Sequence, residues 1–131
     1  MNIKSYRELI VWQKAMDLVE ESHRLTKRLP KAETYGLCSQ IQRAAISIPA
    51  NIAEGHGRKH LGDYLHHLSI ANGSIMELET HVFLIQRLSF VAPDEIERAL
   101  ELTGEVGRML AGPTRSLTAK RICQEAGGAS A

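Results

Sequence analysis

Residues 39–58 read SQIQRAAISIPANIAEGHGR, and they decide the fold. Ile41, Ala44 or Ala45, Ile48 and Ile52 recur at three- and four-residue spacing, which gathers them on one side of a helix. The alanines and Ser47 keep that helix slim, so neighbours can approach it closely. Pro49 falls inside the pattern. It removes one backbone donor and crowds the carbonyl four residues back, at a cost of about 3 kcal/mol in a straight helix, so a kink or break is expected near Ile48. Gly55 and Gly57 are expected to supply positive-φ positions that end the helix and turn the chain. A tight core helix accounts for all of this except Asn51 and Glu54. Two polar side chains among aliphatic neighbours need partners. They are expected to be structural polar anchors near the core or a subunit contact, paired with Arg43, Arg58 or groups on the first helix.

Working outward, the chain resolves into four helical stretches with no strand, an all-α antiparallel up-and-down four-helix bundle. Ser5 with Glu8 reads as a capping box that opens a first helix over Ser5 to Leu29, its first regular turn coming near Leu9. Trp12, Met16, Val19 and His23 mark one face of it. Val11, Ala15, Leu18, Ser22, Leu25 and Leu29 mark the adjoining one, a belt wider than a single partner helix would bury. Pro30 stops it. The second helix is expected over Tyr35 to Glu54, after a connection short enough for antiparallel neighbours. The third, over Lys59 to Leu88, carries a heptad seam: Leu61, Tyr64, Leu68, Ala71, Ile75, Leu78, Val82 and Ile85. At ~1.5 Å per residue it would be about 40 Å long. Gly73 interrupts this seam, and close helix contact at mid-bundle is the expected reason. Pro93 with Asp94 and Glu95 starts the fourth helix, over Pro93 to Leu110. Residues 1–112 thus form the bundle, and residues 113–131, ending Gly127-Gly128-Ala129-Ser130-Ala131, read as an extension, partly helical or disordered.

Composition narrows the function classes. Sixteen Lys and Arg against fifteen Asp and Glu give a net charge of +1, so no global field marks a dedicated nucleic-acid binder. Any such binding must come from a local patch or from a patch repeated by self-association. The two cysteines, Cys38 and Cys123, lie far apart without ligand or disulfide spacing, which points to reduced thiols in a cytoplasmic protein. No apolar run approaches the ~18 residues of a membrane span, so no membrane partner is expected.

The histidines and acids do not assemble a catalytic or metal motif. Glu20 and His23 have Glu-x-x-His spacing, but a di-metal bundle site needs a second such motif and two more inward glutamates. Glu77 and His81 are one residue too far apart for it. The two glycines of Gly55-His56-Gly57-Arg58 lack the Lys-Ser/Thr of a phosphate-cradling loop. No catalytic residue, metal ligand or cofactor is therefore expected. The best local candidate for phosphate contact is the basic cluster His56, Arg58, Lys59 and His60 at the turn into the third helix, with Arg43 as a further cation.

Several ordered motifs carry a family resemblance. Asn51-Ile52-Ala53-Glu54-Gly55 follows Ser47-Ile48-Pro49, with Val11-Trp12-Gln13-Lys14-Ala15 and Tyr35-Gly36-Leu37 upstream and Ala71-Asn72-Gly73-Ser74 and Glu77-Leu78-Glu79-Thr80 downstream. Together these resemble the proteins encoded in intervening sequences of bacterial 23S rRNA genes, over roughly Leu9 to Phe90. The resemblance implies a non-catalytic four-helix bundle assembling as a ring-like homopentamer. The family is also similar to the accessory proteins of diversity-generating retroelements, which implies RNA or DNA as a partner. The alternative is a structural or protein-interaction ring whose partner is another polypeptide.

Overall fold

The computed structural model describes residues 4–112. Helix α1 spans Ile10–Thr26, α2 Ser39–His56 and α3 Leu61–Arg87, and α4 occupies residues 97–112 after a short 3-10 turn over Pro93–Ile96. No strand occurs among the described residues. Cross-helix contacts fix the directions. Lys14 and Arg28, near the two ends of α1, pair with Glu105 and Glu95 in the reverse order, so α1 and α4 run antiparallel. In the same sense Ser47 meets Ser74 and Asn51 meets His67 between α2 and α3. The expected up-and-down bundle is what the sequence folds into. The extension beyond residue 112 lies outside the described residues.

The helix ends show where local chemistry overrides periodicity. Ser5 Oγ accepts from the Arg7 N–H, and Glu8 Oε2 from the Lys4 N–H. These bonds are not the expected reciprocal capping box, since Glu8 reaches the Lys4 N–H rather than that of Ser5, and they close only a single 3-10 turn, Tyr6–Glu8, before extended backbone at Leu9 and the start of α1. At its other end α1 stops at Thr26, one turn before Pro30. The expected start of α2 at Tyr35 is also corrected. Thr34–Cys38 forms an irregular turn interrupted at Gly36 (φ −105°, ψ −106°), and regular helix begins at Ser39.

Two glycine expectations are corrected as well. Neither Gly55 nor Gly57 has positive φ; Gly55 lies within α2, and Gly57 caps it at φ −80°. Gly55 serves packing instead, because a Cβ there would sit 3.0 Å from His67 Cβ. The glycine therefore sets how closely α2 and α3 approach. Gly73, by contrast, faces open space within this chain, since it lies off the buried seam of α3. The one left-handed residue among those described is Ser89 (φ 64°), just after α3. It lets Phe90 N–H reach back to Ile85 O, the wrap that satisfies late helix carbonyls.

No break occurs at Pro49: α2 continues through it, with the ring buried. The carboxamide of Asn51 folds over the same turn and donates to Ser47 O at 2.8 Å. This adds a side-chain bond to the turn that contains the proline, although the carbonyl deprived by Pro49 is that of Ala45. The core follows the periodicity from Leu68 onward, while Leu61 and Tyr64 at the start of the expected seam are only half-buried. Leu68, Ala71, Ile75, Leu78, Val82 and Ile85 of α3 are all buried, against Ile41, Ile48 and Ile52 of α2 and Ala99, Val106 and Leu110 of α4. On α1 the Ala15, Leu18 and Leu25 face is buried, whereas Met16 and His23 of the adjoining face remain exposed.

Candidate functional site

The α2–α3 seam carries a polar strip along its outer side. Its centre is a hydrogen-bonded group from both helices: Ser74 Oγ donates to Ser47 Oγ at 2.9 Å, and Asn51 Nδ2 donates to the same hydroxyl at 3.1 Å. Asn51 Oδ1 accepts from His67 Nδ1 at 3.0 Å. Glu54 Oε2 lies 3.5 Å from that nitrogen. His67 is well covered, at 13% side-chain exposure, while Glu54 is 60% exposed. The expected partners of Asn51 and Glu54 thus give way to His67 and, for Asn51, also Ser47. Arg43 and Arg58 are not among them; both are exposed, and neither bonds to Asn51 or Glu54.

Toward the N-terminus of α2 the strip opens into a cleft of about 210 Å³, lined by Gln40, Arg43, Ala44, Ser47, Ser74 and Glu77. The small side chains of Ala44, Ser47 and Ser74 make room for it. One turn further along α3, His81 Nε2 stands 3.4 Å from Glu77 Oε1. Sequence reading missed His67, Ser47 and Gln40 as a connected set. Ser74 was visible only inside a downstream family motif, and Glu77 there and as a rejected metal-ligand partner of His81.

The basic residues separate into distinct places. Arg58 and Lys59 are exposed in the α2–α3 turn, with His56 half-buried at the end of α2. Arg43 stands in the cleft, fifteen residues up the helix from Arg58 and therefore roughly 22 Å away. Among the described residues, none of Arg43, Arg58 and Lys59 is ion-paired. At the opposite end of the bundle Arg24, Arg28 and Arg98 pair with Glu21, Glu95 and Glu101, while Lys27, Lys31 and Arg87 are exposed there without an ion pair among the described residues. Positive charge without a local partner thus includes the α2–α3 turn and the cleft.

Among the described residues neither a metal cage nor an activated thiol emerges. No three His, Cys, Asp or Glu side chains among the described residues come together in a way that could hold a metal ion. Burial, then the nearby Glu33 carboxylate, push the Cys38 thiol above its ordinary pKa. The thiol keeps its proton at neutral pH, with its sulfur 3.6 Å from Thr26 O. No described helix is long and apolar enough to cross a membrane.

A helical bundle with a polar interhelical cleft and an unpaired basic turn is the class these features define. Within it, the family model of the 23S rRNA-intervening sequence proteins matches residues 7–112. The chain belongs to that family. It is similar in fold to a crystal structure from Bacteroides thetaiotaomicron VPI-5482, described as a protein of unknown function from the S23 ribosomal protein family. That likeness has a TM-score of 0.74 at 24% identity, covering 80% of this chain and 98% of the other. No curated protein matches.

Proposed function

We propose that this chain is a non-catalytic, self-associating cytoplasmic module that binds RNA or DNA through backbone phosphates. One observation carries the reading: Arg58 and Lys59 stand exposed side by side in the turn that leads into the N-terminus of α3, and neither forms an ion pair among the described residues. A protomer of net charge +1 attracts nucleic acid weakly, but a ring repeating the basic turn presents many cations at once. Binding titrations at several salt concentrations test it. Each phosphate neutralised steepens the log–log slope by about 0.7 to 0.9, and the double variant Arg58→Ala/Lys59→Ala is expected to flatten it by about one to two such steps.

Self-association is supported by apolar side chains that the isolated chain leaves uncovered. Ile10 on α1 and Met76 on α3 are each 61% exposed, and Ile46, Phe83 and Leu84 are also exposed. A second subunit would remove that surface from water. Five copies is the number the family resemblance implies. Light scattering at micromolar concentration is expected to return a multiple of the 14.5 kDa protomer mass, and a monomer would refute this part. The same apolar side chains favour a second reading, a ring that engages another polypeptide. An intact oligomer that binds no nucleic acid at low salt would select it.

A further inference from the structure

The cleft between α2 and α3 has a chemistry the basic turn lacks. Arg43 offers only donors and Glu77 only acceptors, yet they line one cleft without pairing to each other. Ser47, Ser74 and Gln40 supply groups that both give and accept hydrogen bonds. No aromatic side chain lines the cleft, so a stacked base has nothing to lie on. Its volume of about 210 Å³ exceeds the roughly 150 Å³ of an apolar cavity that accepts benzene, which suits one ring with a substituent. A ring that fits these walls is polar, hydroxylated and joined to an anion.

We propose that this cleft takes the ribose–phosphate unit of an RNA chain. Arg43 contacts the phosphate, and the Glu77 carboxylate accepts a hydrogen bond from a ribose hydroxyl. An acidic side chain reads ribose in the same way in dinucleotide sites, and the 2′-hydroxyl separates RNA from DNA. His81 lies beside the carboxylate, Nε2 at 3.4 Å from Glu77 Oε1, an arrangement that leaves Oε2 for the ligand. The inference rests on the nucleic-acid reading and narrows it to RNA.

The test compares a fluorescein-labelled single-stranded RNA with the DNA of the same sequence, by anisotropy at fixed salt. Wild-type protein is expected to bind the RNA about tenfold more tightly, the worth of one good hydrogen bond to a charged group. Glu77→Ala is expected to bring the RNA-to-DNA ratio close to one, whereas Arg43→Ala weakens both ligands alike. Each ratio is internal to its variant, so a partly unfolded fraction cancels. Equal wild-type affinities, or a ratio unmoved by Glu77→Ala, would overturn the ribose site; Arg58→Ala/Lys59→Ala still weakening both ligands would then leave the phosphate reading standing. Displacement of the RNA by comparable concentrations of adenosine monophosphate would assign the cleft to a free nucleotide and overturn RNA as its ligand. Absence of binding by either nucleic acid at low salt overturns both readings together.

Discussion

Leu78→Ala is expected to destabilise the bundle by about 2 to 5 kcal/mol, the range for emptying a buried leucine site that cannot collapse. Leu78 is at 0% exposure on the inner face of α3, within a continuous cluster that draws on all four helices. The neighbours on α3, Ile75 and Val82, are held in register by a helix of 27 residues and cannot shift independently to fill the void. At about 4 °C per kcal/mol for a domain of this size, the melting temperature should fall by roughly 8 to 20 °C. Thermal unfolding followed by circular dichroism measures it. The control is Leu88→Ala, an exposed leucine just beyond α3, which should change little. Similar losses at both positions would mean that α3 does not present the face described.

A second large effect is expected from Asn51→Ala, which removes three hydrogen bonds at once. The covered His67 ring loses its 3.0 Å acceptor, and the turn around Pro49 loses the side-chain bond to Ser47 O. An unmet polar group at such a site costs about 1 to 3 kcal/mol, against roughly half a kcal/mol regained from the better helix propensity of alanine. Glu54→Ala should cost less than about 1 kcal/mol. Its carboxylate is mostly in water and its contact with His67 is long, the situation in which ion pairs contribute little. The two residues stand three apart in one motif, yet the structure ranks them apart. Urea unfolding of Asn51→Ala, His67→Ala and the double variant would measure their coupling, expected at 0.5 kcal/mol or more for residues in contact. Strictly additive losses would show that the observed hydrogen bond contributes nothing to stability.

What the sequence determined by itself is the inner face of each helix. Leu68, Ala71, Ile75, Leu78, Val82 and Ile85 are apolar at a period that only a helix can gather on one side, and all are buried. The same holds for Ile96, Ala99, Val106 and Leu110. Periodicity is a property of one segment, so it needs no knowledge of neighbours. Boundaries were less legible. The capping pattern at Ser5 and the helical pattern from Tyr35 were real local signals, but each was cut short by backbone at Leu9 or Gly36.

Only the tertiary structure decided which polar residues meet. Ser47 and Ser74 are 27 positions apart, and Asn51 and His67 are 16 apart. Their meeting depends on the register of α2 against α3 and on the spacing that Gly55 allows against His67 Cβ. Neither quantity is written in a single helix. The same dependence explains why two glycines of equal appearance differ, Gly55 pressed against a neighbouring helix and Gly73 open to solvent. Arg43 and Arg58 are alike in sequence, but one stands in an interhelical cleft and the other on a turn. Long-range packing places charges, and charge placement governs what a surface can bind.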